Sequence, residues 1–187
     1  MMGAVDEAAA VAALKEGRPV IFPTDTVYGL GVAVDFAPDP FELYRLKGRD
    51  GSKPVAWLIA DGADLFRFGR AVGPRAARLA QEGWPGPLTL VVQASGAVPE
   101  AYRSPQGTIG LRVPANPLTR RLIAAVGCPL ATTSANRSGA AAPIRGEDVD
   151  PALGAQVSTL LQDFAPTRGR PSAVIDCSRG NPVALRS

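Results

Sequence analysis

The sequence predicts an α/β protein, organised as a single domain over residues 1–187, with helices flanking an open, twisted sheet of mixed parallel and antiparallel strands. Short apolar runs of strand length alternate along the chain with stretches of helix length, which is typical of this fold class. No internal repeat or long linker divides the chain. A length of 187 residues suits one domain, whose core needs no disulfide or metal for its stability.

The first half of the chain begins with a helix and then alternates between strands and helices. Acidic residues open the first helix and Gly17 ends it, while Pro38 lies near the start of the second helix. Val11 and Leu14 of the first helix should face the core. Two prolines make the segment 84–87 a rigid turn. The predicted order is helix 6–16, strands 19–22 and 31–34, helix 38–46, strand 55–60, and helical pieces at 63–68 and 74–81.

The second half contains more strands than helices. Its one helix starts with a proline at its first position, where the missing N–H costs nothing. The last two long strands are joined by a loop rich in proline, glycine and arginine. The predicted order is strand 88–93, an irregular connection at 96–107, strand 108–113, helix 117–126, strand 130–132, a surface loop, strands 157–164 and 173–177, and a final segment at 183–186.

The composition narrows the classes of function. A net charge of +3 and a pI of about 9.2 favour anionic ligands without establishing nucleic-acid binding. The chain has no histidine, which excludes histidine triads, histidine metal ligands and imidazole acid–base catalysis. Cys128 and Cys177 are expected to be reduced and buried, with a single disulfide as the less favoured alternative. The N-terminus does not resemble a signal peptide and no run is long enough to cross a membrane, so a cytoplasmic protein is expected.

Three stretches combine hydroxyl or small residues at a strand end with a nearby cation: 24–31, 108–112 and 132–139. The densest cationic element carries Lys47, Arg49 and Lys53. Hydroxyls, backbone N–H groups, lysine and arginine together make a site for phosphates or other oxyanions, although no Walker or Rossmann fingerprint is present.

Each of these stretches also has a purely structural interpretation. The threonines of the first stretch could cap a turn, and the lysines could form a solvated helix end. Arg112 could pair with a surface carboxylate, while Ser134 and Asn136 could serve only as turn residues. The individual stretches do not decide between these interpretations.

Taken together, six motifs in a fixed order resemble the YrdC-like family, the threonylcarbamoyl-adenylate synthases, in its short single-domain form. The resemblance spans nearly the whole chain and is most specific in the Lys-x-Arg and Ser-x-Asn pair. The motifs are Pro-Thr-Asp-Thr-Val-Tyr-Gly-Leu-Gly at 23–31, Lys-Gly-Arg at 47–49, Trp-Pro-Gly-Pro-Leu-Thr-Leu at 84–90, Gly-Leu-Arg-Val-Pro at 110–114, Thr-Ser-Ala-Asn-Arg-Ser-Gly at 133–139 and Pro-Ser-Ala-Val-Ile-Asp at 171–176.

The resemblance implies a nucleotidyltransferase reaction on an open α/β sheet with a concave, positively charged face. The family condenses L-threonine, bicarbonate or CO2, and ATP to threonylcarbamoyl-AMP and pyrophosphate. A partner transferase complex then modifies an adenosine of certain tRNAs. ATP is thus a substrate, Mg2+ is the expected metal although its ligands are unknown, and weak binding to tRNA or other double-stranded RNA is compatible with the activity.

The resemblance also implies a role for each matching residue. Lys47, Arg49, Ser134 and Asn136 would be catalytic. The expected threonine-binding residues are Thr26, Arg112, Thr132 and Ser172, and the expected ATP-binding residues are Lys47, Arg49, Lys53, Thr108, Ser134, Asn136 and Arg186. Two positions depart from the family pattern, because Leu58 replaces a frequent histidine and Ala142 a frequent hydroxyl.

Two alternative functions remain at this stage. The basic composition and the scattered arginines Arg120, Arg121, Arg168 and Arg170 would suit an RNA-binding module, although only 6% of the residues are aromatic. A related module could also sense nucleotide without turnover. Threonine-dependent release of pyrophosphate would separate the enzyme from both.

Overall fold

Nine strands form one mixed sheet within the residues that the computed structural model describes, namely 6–48, 51, 54–162, 167–179 and 181–186. The strands lie across the sheet in the order β7-β1-β2-β6-β3-β5-β4-β8-β9. Their bounds are β1 (Val20–Phe22), β2 (Gly29–Ala33), β3 (Ala56–Leu58), β4 (Leu88–Gln93), β5 (Thr108–Arg112), β6 (Leu130–Ser134), β7 (Thr159–Leu160), β8 (Ala173–Asp176) and β9 (Val183–Arg186).

The pairing confirms the mixed character that the sequence predicts. Three pairs are parallel, β1 with β7, β3 with β5, and β4 with β8. The other neighbours in the sheet are antiparallel. Strands that are distant in sequence therefore become neighbours, and the site residues that follow them are brought together.

Helices connect these strands, and most of their ends follow from local sequence signals. Asp6 caps the first helix by accepting a hydrogen bond from the backbone N–H of Ala9 at 2.9 Å. Asn116 caps the fifth helix in the same way, and Gly127 ends it in a left-handed conformation with φ of 88°. The helices are α1 (Glu7–Lys15), α2 (Phe41–Lys47), α3 (Asp64–Phe68), α4 (Pro74–Gly83), α5 (Pro117–Val126) and α6 (Pro151–Gly154), with short 3-10 turns at Glu100–Tyr102 and Gly146–Asp148.

Large aromatic and aliphatic side chains form one continuous core against the sheet. The Trp57 ring packs edge-on against Phe68 and Tyr102, with ring centroids 5.2 and 5.5 Å apart. The Tyr102 hydroxyl donates to the backbone oxygen of Ala37 at 2.9 Å, which satisfies its polar group inside the core. Leu14 is fully buried as predicted, whereas Val11 is only partly buried.

The two glycines of β2 are required by close packing of strands, not by a turn. A Cβ atom at Gly31 would lie 3.0 Å from each of three atoms: the Ala131 oxygen, a Phe22 ring carbon and the Thr132 hydroxyl. A Cβ atom at Gly29 would meet the Thr132 methyl group at 3.0 Å. Glycine therefore lets β2 lie directly against the side chain of Thr132.

Several predicted bounds need correction. The second strand starts at Gly29, two residues earlier than expected, and α2 starts at Phe41 because Pro40 occupies the position before it. Of the predicted strand 157–164, only Thr159–Leu160 is strand among the described residues, because the Val157 N–H donates to the Gly154 oxygen and continues the turn that follows α6. Residues 163 and 164 lie outside the described part. No helix of that part is long and apolar enough to cross a membrane.

Candidate active site

A cavity of about 380 Å³ opens on the face of the sheet where the hydroxyl-rich strand ends meet. The predicted site residues that line it come from five separate segments of the chain. They are Thr26, Thr108, Arg112, Thr132, Ser134, Ser172 and Arg186. The structure therefore brings these residues together around one cavity, whereas Lys47 and Asn136 do not line it.

The strand register builds the floor of this cavity from small residues. Thr132 of β6 is paired with Ala56 of β3, which is in turn paired with Gly110 of β5 and, through it, with Val91 of β4. All four residues line the cavity. Because alanine and glycine occupy the centre of this row, the floor leaves room for a ligand.

Arg112 is held in the cavity wall by three acceptors. Its Nε–H donates to the backbone oxygen of Gly86 at 2.9 Å, its Nη1 to the Thr26 hydroxyl at 3.0 Å, and its Nη2 to Asp25 Oδ1 at 2.6 Å. A guanidinium group has five N–H donors in a fixed plane. Among the described residues, one donor on each terminal nitrogen therefore remains without a protein partner and is available to the oxygens of a ligand.

The Thr-Asp-Thr turn both caps itself and faces the cavity. The Thr24 hydroxyl donates to the Val27 oxygen at 2.6 Å and accepts from the backbone N–H of Thr26 at 3.1 Å. Since the Thr24 hydrogen is used in this way, the contact of 2.9 Å between the two hydroxyls has Thr26 as its donor. Thr26 therefore offers only an acceptor lone pair to a ligand, and both the capping and the pocket interpretation of this turn are correct.

Burial and neighbouring charges both shift the pKa of Arg112, which is only 5% exposed. Burial lowers the pKa of its guanidinium, and the nearby cations Arg186 and Arg168 lower that pKa further. The carboxylate of Asp25 acts in the opposite direction. The structural alternative, in which Arg112 pairs with a carboxylate, is thus realised by Asp25, whose side chain is 13% exposed and not on the open surface.

Lys47 is buried at the end of α2 and is not a solvated helix end. Its ammonium group lies 2.6 Å from the backbone oxygens of both Ser134 and Asn136 and 3.1 Å from Asn136 Oδ1. The side-chain amide of Asn136 also donates to the Ala140 oxygen at 2.7 Å. These bonds fix the loop that follows β6, so that Ser134 is presented at the cavity while Lys47 lies behind it.

The opposite wall is formed by a second set of hydroxyls. The hydroxyls of Ser172 and Thr89 share a hydrogen bond of 2.8 Å. The Nε–H of Arg186 donates to the backbone oxygen of Ser172 at 2.8 Å. Thr108 exchanges a hydrogen bond of 2.7 Å with Ser104. Arg186 therefore joins the C-terminal strand to the wall of the cavity.

The remaining predicted residues divide into two groups. Asn136 contacts Lys47 and is therefore near the site, and Leu58 lines the cavity as the family comparison implies. Arg49 and Lys53 lie outside the described residues, so their predicted positions are not tested. Cys128 and Cys177 are both free thiols, as expected, but Cys177 is only half-buried.

Sequence reasoning missed Asp25, Thr89 and the backbone oxygen of Gly86. Asp25 could have been noticed as a single acidic residue inside a stretch of otherwise apolar and hydroxyl residues. Thr89 lies between two leucines in a strand, where the alternation of side chains places it on the cavity face. The role of a backbone oxygen leaves no signal in a sequence.

A magnesium ion would have to depend on its substrate for most of its ligands here. In the part of the chain that the structure describes, no group of three carboxylate or cysteine side chains could hold a metal ion. Mg2+ is usually bound by one or two protein oxygens together with substrate phosphates and water. The hydroxyl of Ser134 and the side chain of Asn136 suit that limited role.

Comparisons with known proteins show related sequences and a related fold. A family model described as "Sua5_yciO_yrdC: Telomere recombination" matches residues 12–187. A Bacillus subtilis protein named threonylcarbamoyl-AMP synthase is 37% identical over 96% of the chain, and a Vibrio cholerae protein of the same name is 34% identical over 89%. The crystal structure of Pyrococcus abyssi Sua5 complexed with L-threonine superposes with a TM-score of 0.88 at 32% identity over 98% of the chain.

These relatives differ in length. The chain spans about half of the Bacillus protein, with 52% of its length matched, and 55% of the Pyrococcus structure. It spans 90% of the Vibrio protein. The shared region thus covers almost all of one relative and one half of the others.

Proposed function

Because this chain belongs to the Sua5/YciO/YrdC family, we propose that it is an L-threonylcarbamoyladenylate synthase, a nucleotidyltransferase that converts L-threonine, bicarbonate or CO2, and ATP to threonylcarbamoyl-AMP and pyrophosphate. We also propose that residues 1–187 act as one domain. The single observation that carries the proposal is the shared cavity, in which an anchored arginine and a set of threonine and serine hydroxyl groups surround a floor of small residues.

The amino-acid end of the cavity is centred on Arg112. Its two remaining N–H donors would bind the threonine carboxylate in a bidentate manner, since the other three donors already fix the plane of the guanidinium. Thr26 presents a lone pair that suits the N–H groups of an amine or a carbamate. Thr132 and Ser172 would provide further contacts to threonine.

The nucleotide end is proposed to lie toward Ser134, which Lys47 supports from behind. Attack of the carbamate oxygen on the α-phosphorus, with pyrophosphate leaving, needs charge neutralisation and alignment more than covalent catalysis. Ser134, Asn136, Thr108 and Arg186 would contact ATP. From the sequence pattern we add Arg49 and Lys53 to this group and assign Lys47, Arg49, Ser134 and Asn136 as the residues that serve the phosphoryl step.

Mg2+ is proposed to enter with ATP, because the described residues lack a metal-binding cluster of their own. Ser134 and Asn136 are the residues that would face it. When bound, the ion would neutralise charge on the phosphate oxygens. Arginine and lysine side chains would supply the remaining positive charge.

The partners of the reaction follow from its product. Threonylcarbamoyl-AMP is a reactive mixed anhydride, so a transferase complex that acts on tRNA is the proposed recipient. We propose weak binding to tRNA or other double-stranded RNA through exposed arginines such as Arg120 and Arg170, and a cytoplasmic location beside these partners. An RNA-binding or nucleotide-sensing module without turnover is the alternative.

Mass spectrometry of a mixture of the protein, ATP, L-threonine, bicarbonate and Mg2+ tests this proposal. We expect threonylcarbamoyl-AMP to form together with pyrophosphate, and to disappear when any one component is left out. Arg112→Lys should abolish most of this product, while Arg120→Lys, on the exposed surface of α5, serves as the matched control. If the folded protein binds ATP but forms no product, the sensing module is the correct function.

A further inference from the structure

Asp25 is a buried carboxylate whose two oxygens have very different surroundings. Its side chain is 13% exposed. Oδ1 accepts hydrogen bonds from Arg112 Nη2 at 2.6 Å and from the backbone N–H of Ala115 at 3.0 Å. Oδ2 is buried and has no hydrogen-bond partner among the described residues. A half-satisfied buried carboxylate is costly, so its presence calls for an explanation beyond packing.

Fixing the position of Arg112 does not by itself require a charge. The Gly86 oxygen and the Thr26 hydroxyl already hold Nε and Nη1, and two fixed points determine the orientation of a planar guanidinium group. A neutral acceptor in place of Asp25 Oδ1 would complete the same geometry. What Asp25 adds is a negative charge 2.6 Å from the atom that would meet the ligand.

The negative charge of Asp25 would serve a function in a cavity that receives both an amino-acid carboxylate and the phosphates of a nucleotide. Arg186 lines the same cavity, and both it and Arg168 are close enough to Arg112 to lower its pKa. Among the described residues that act on the pKa of Arg112, Asp25 is the carboxylate that offsets the charges of Arg186 and Arg168. A cluster of guanidinium groups attracts polyanions, and a triphosphate or pyrophosphate carries several times the charge of an amino-acid carboxylate.

We propose that Asp25 determines the specificity of the Arg112 subsite by reserving it for the carboxylate of a zwitterionic amino acid and by repelling the phosphates of the co-substrate. Asp25 acts through Arg112 and is therefore a positioning residue. Its negative charge also repels phosphates, which contributes to specificity. This inference rests on the proposed function, because it assumes that an amino acid and a nucleotide occupy one cavity.

Calorimetry with Asp25→Asn separates charge from position. The amide keeps an oxygen that can accept from Arg112 and Ala115, but it removes the negative charge. L-threonine and inorganic pyrophosphate are titrated into the full chain at low salt, each alone and each in the presence of the other. Glu82→Gln, at an exposed site in α4, changes the net charge by the same amount and is the control.

In the wild-type protein and in Glu82→Gln we expect threonine and pyrophosphate to bind together without competition. In Asp25→Asn we expect pyrophosphate to bind about tenfold more tightly and to displace threonine. Added salt should reduce this gain, as it would for a change of charge and not for a change of packing.

Equal changes in the affinities for both ligands, or a lack of competition in folded Asp25→Asn, would overturn the inference. If the variant does not fold, the wild-type titration decides the question, since mutual exclusion of threonine and pyrophosphate there contradicts the inference and joint binding supports it. Product formation by the wild type is measured in parallel. If the wild type forms product and Asp25→Asn shows unchanged selectivity, only the role of Asp25 is refuted. If the wild type forms no product, the proposed function is refuted.

Discussion

Arg112 and Lys47 are both buried cations, with 5% and 4% of their surfaces exposed, yet they are bound in different ways. Arg112 has five N–H donors, and three acceptors fix it in the cavity wall. Lys47 has three N–H donors and three oxygens within 3.1 Å. The arginine thus has donors left for a ligand, while the lysine is already saturated by the protein.

This difference indicates a division of labour between the two ends of the cavity. The Arg112 end is suited to direct recognition of a planar carboxylate. At the Lys47 end the ammonium group holds the loop from Ser134 to Asn136, and under the proposed function this loop would present its hydroxyl and backbone groups to the nucleotide. Lys47 would then act through the loop that it fixes.

Removal of Mg2+ should affect only one end of the cavity. With excess chelator we expect pyrophosphate release to fall below detection, because the described residues offer no metal-binding cluster that could retain the ion. Threonine binding, measured by calorimetry, should stay the same. Loss of threonine affinity on chelation would break the comparison, since it would place the metal at the Arg112 end.

Arg112→Lys keeps the charge but removes the planar fork. We expect threonine affinity to fall about 100-fold while ATP affinity changes by less than about threefold. Calorimetry with each ligand measures the two effects, and a melting curve shows whether the variant is folded. Equal losses for both ligands would contradict the assignment of Arg112 to the amino acid.

Lys47→Met keeps most of the side-chain volume but leaves the oxygens of Ser134 and Asn136 without their donor. The expected cost is about 2 kcal/mol of unfolding free energy, measured by denaturant titration, with a fall in turnover. Threonine affinity should remain near that of the wild type. A stable variant with normal turnover would show that the ammonium group does not order the loop.

Gly31→Ala tests the packing that places β6 beside β2. The added methyl group would lie 3.0 Å from the Thr132 hydroxyl and from two further atoms, so we expect a loss of about 1–2 kcal/mol in stability. Thr132 lines the cavity and is a proposed contact of threonine. ATP affinity should therefore fall less than threonine affinity. A variant as stable as the wild type would show that β2 can shift without cost.

The sequence predicts the fold class and most of the site because both leave local signals. Acidic residues at its start predict α1 and a proline at its first position predicts α5, and hydroxyls at strand ends predict the cavity residues. The start of β2 at Gly29 is missed because glycine is a poor strand former, and here Gly29 is required by close contacts with the Thr132 side chain and the Phe22 ring.

Three other features depend on tertiary structure and therefore leave no local signal. The register that brings Thr132, Ala56 and Gly110 into one row depends on which strands become neighbours. The role of Asp25 depends on its contact with Arg112, 87 residues away in sequence. A lysine that is saturated by carbonyl oxygens has the same sequence pattern as one that binds phosphate.

A crystal structure of the protein with L-threonine and a non-hydrolysable ATP analogue tests the central claim most directly. The account predicts that the threonine carboxylate accepts hydrogen bonds from both terminal nitrogens of Arg112, with the phosphates against the loop that begins at Ser134. Phosphates bound to Arg112, or threonine bound outside this cavity, would contradict it.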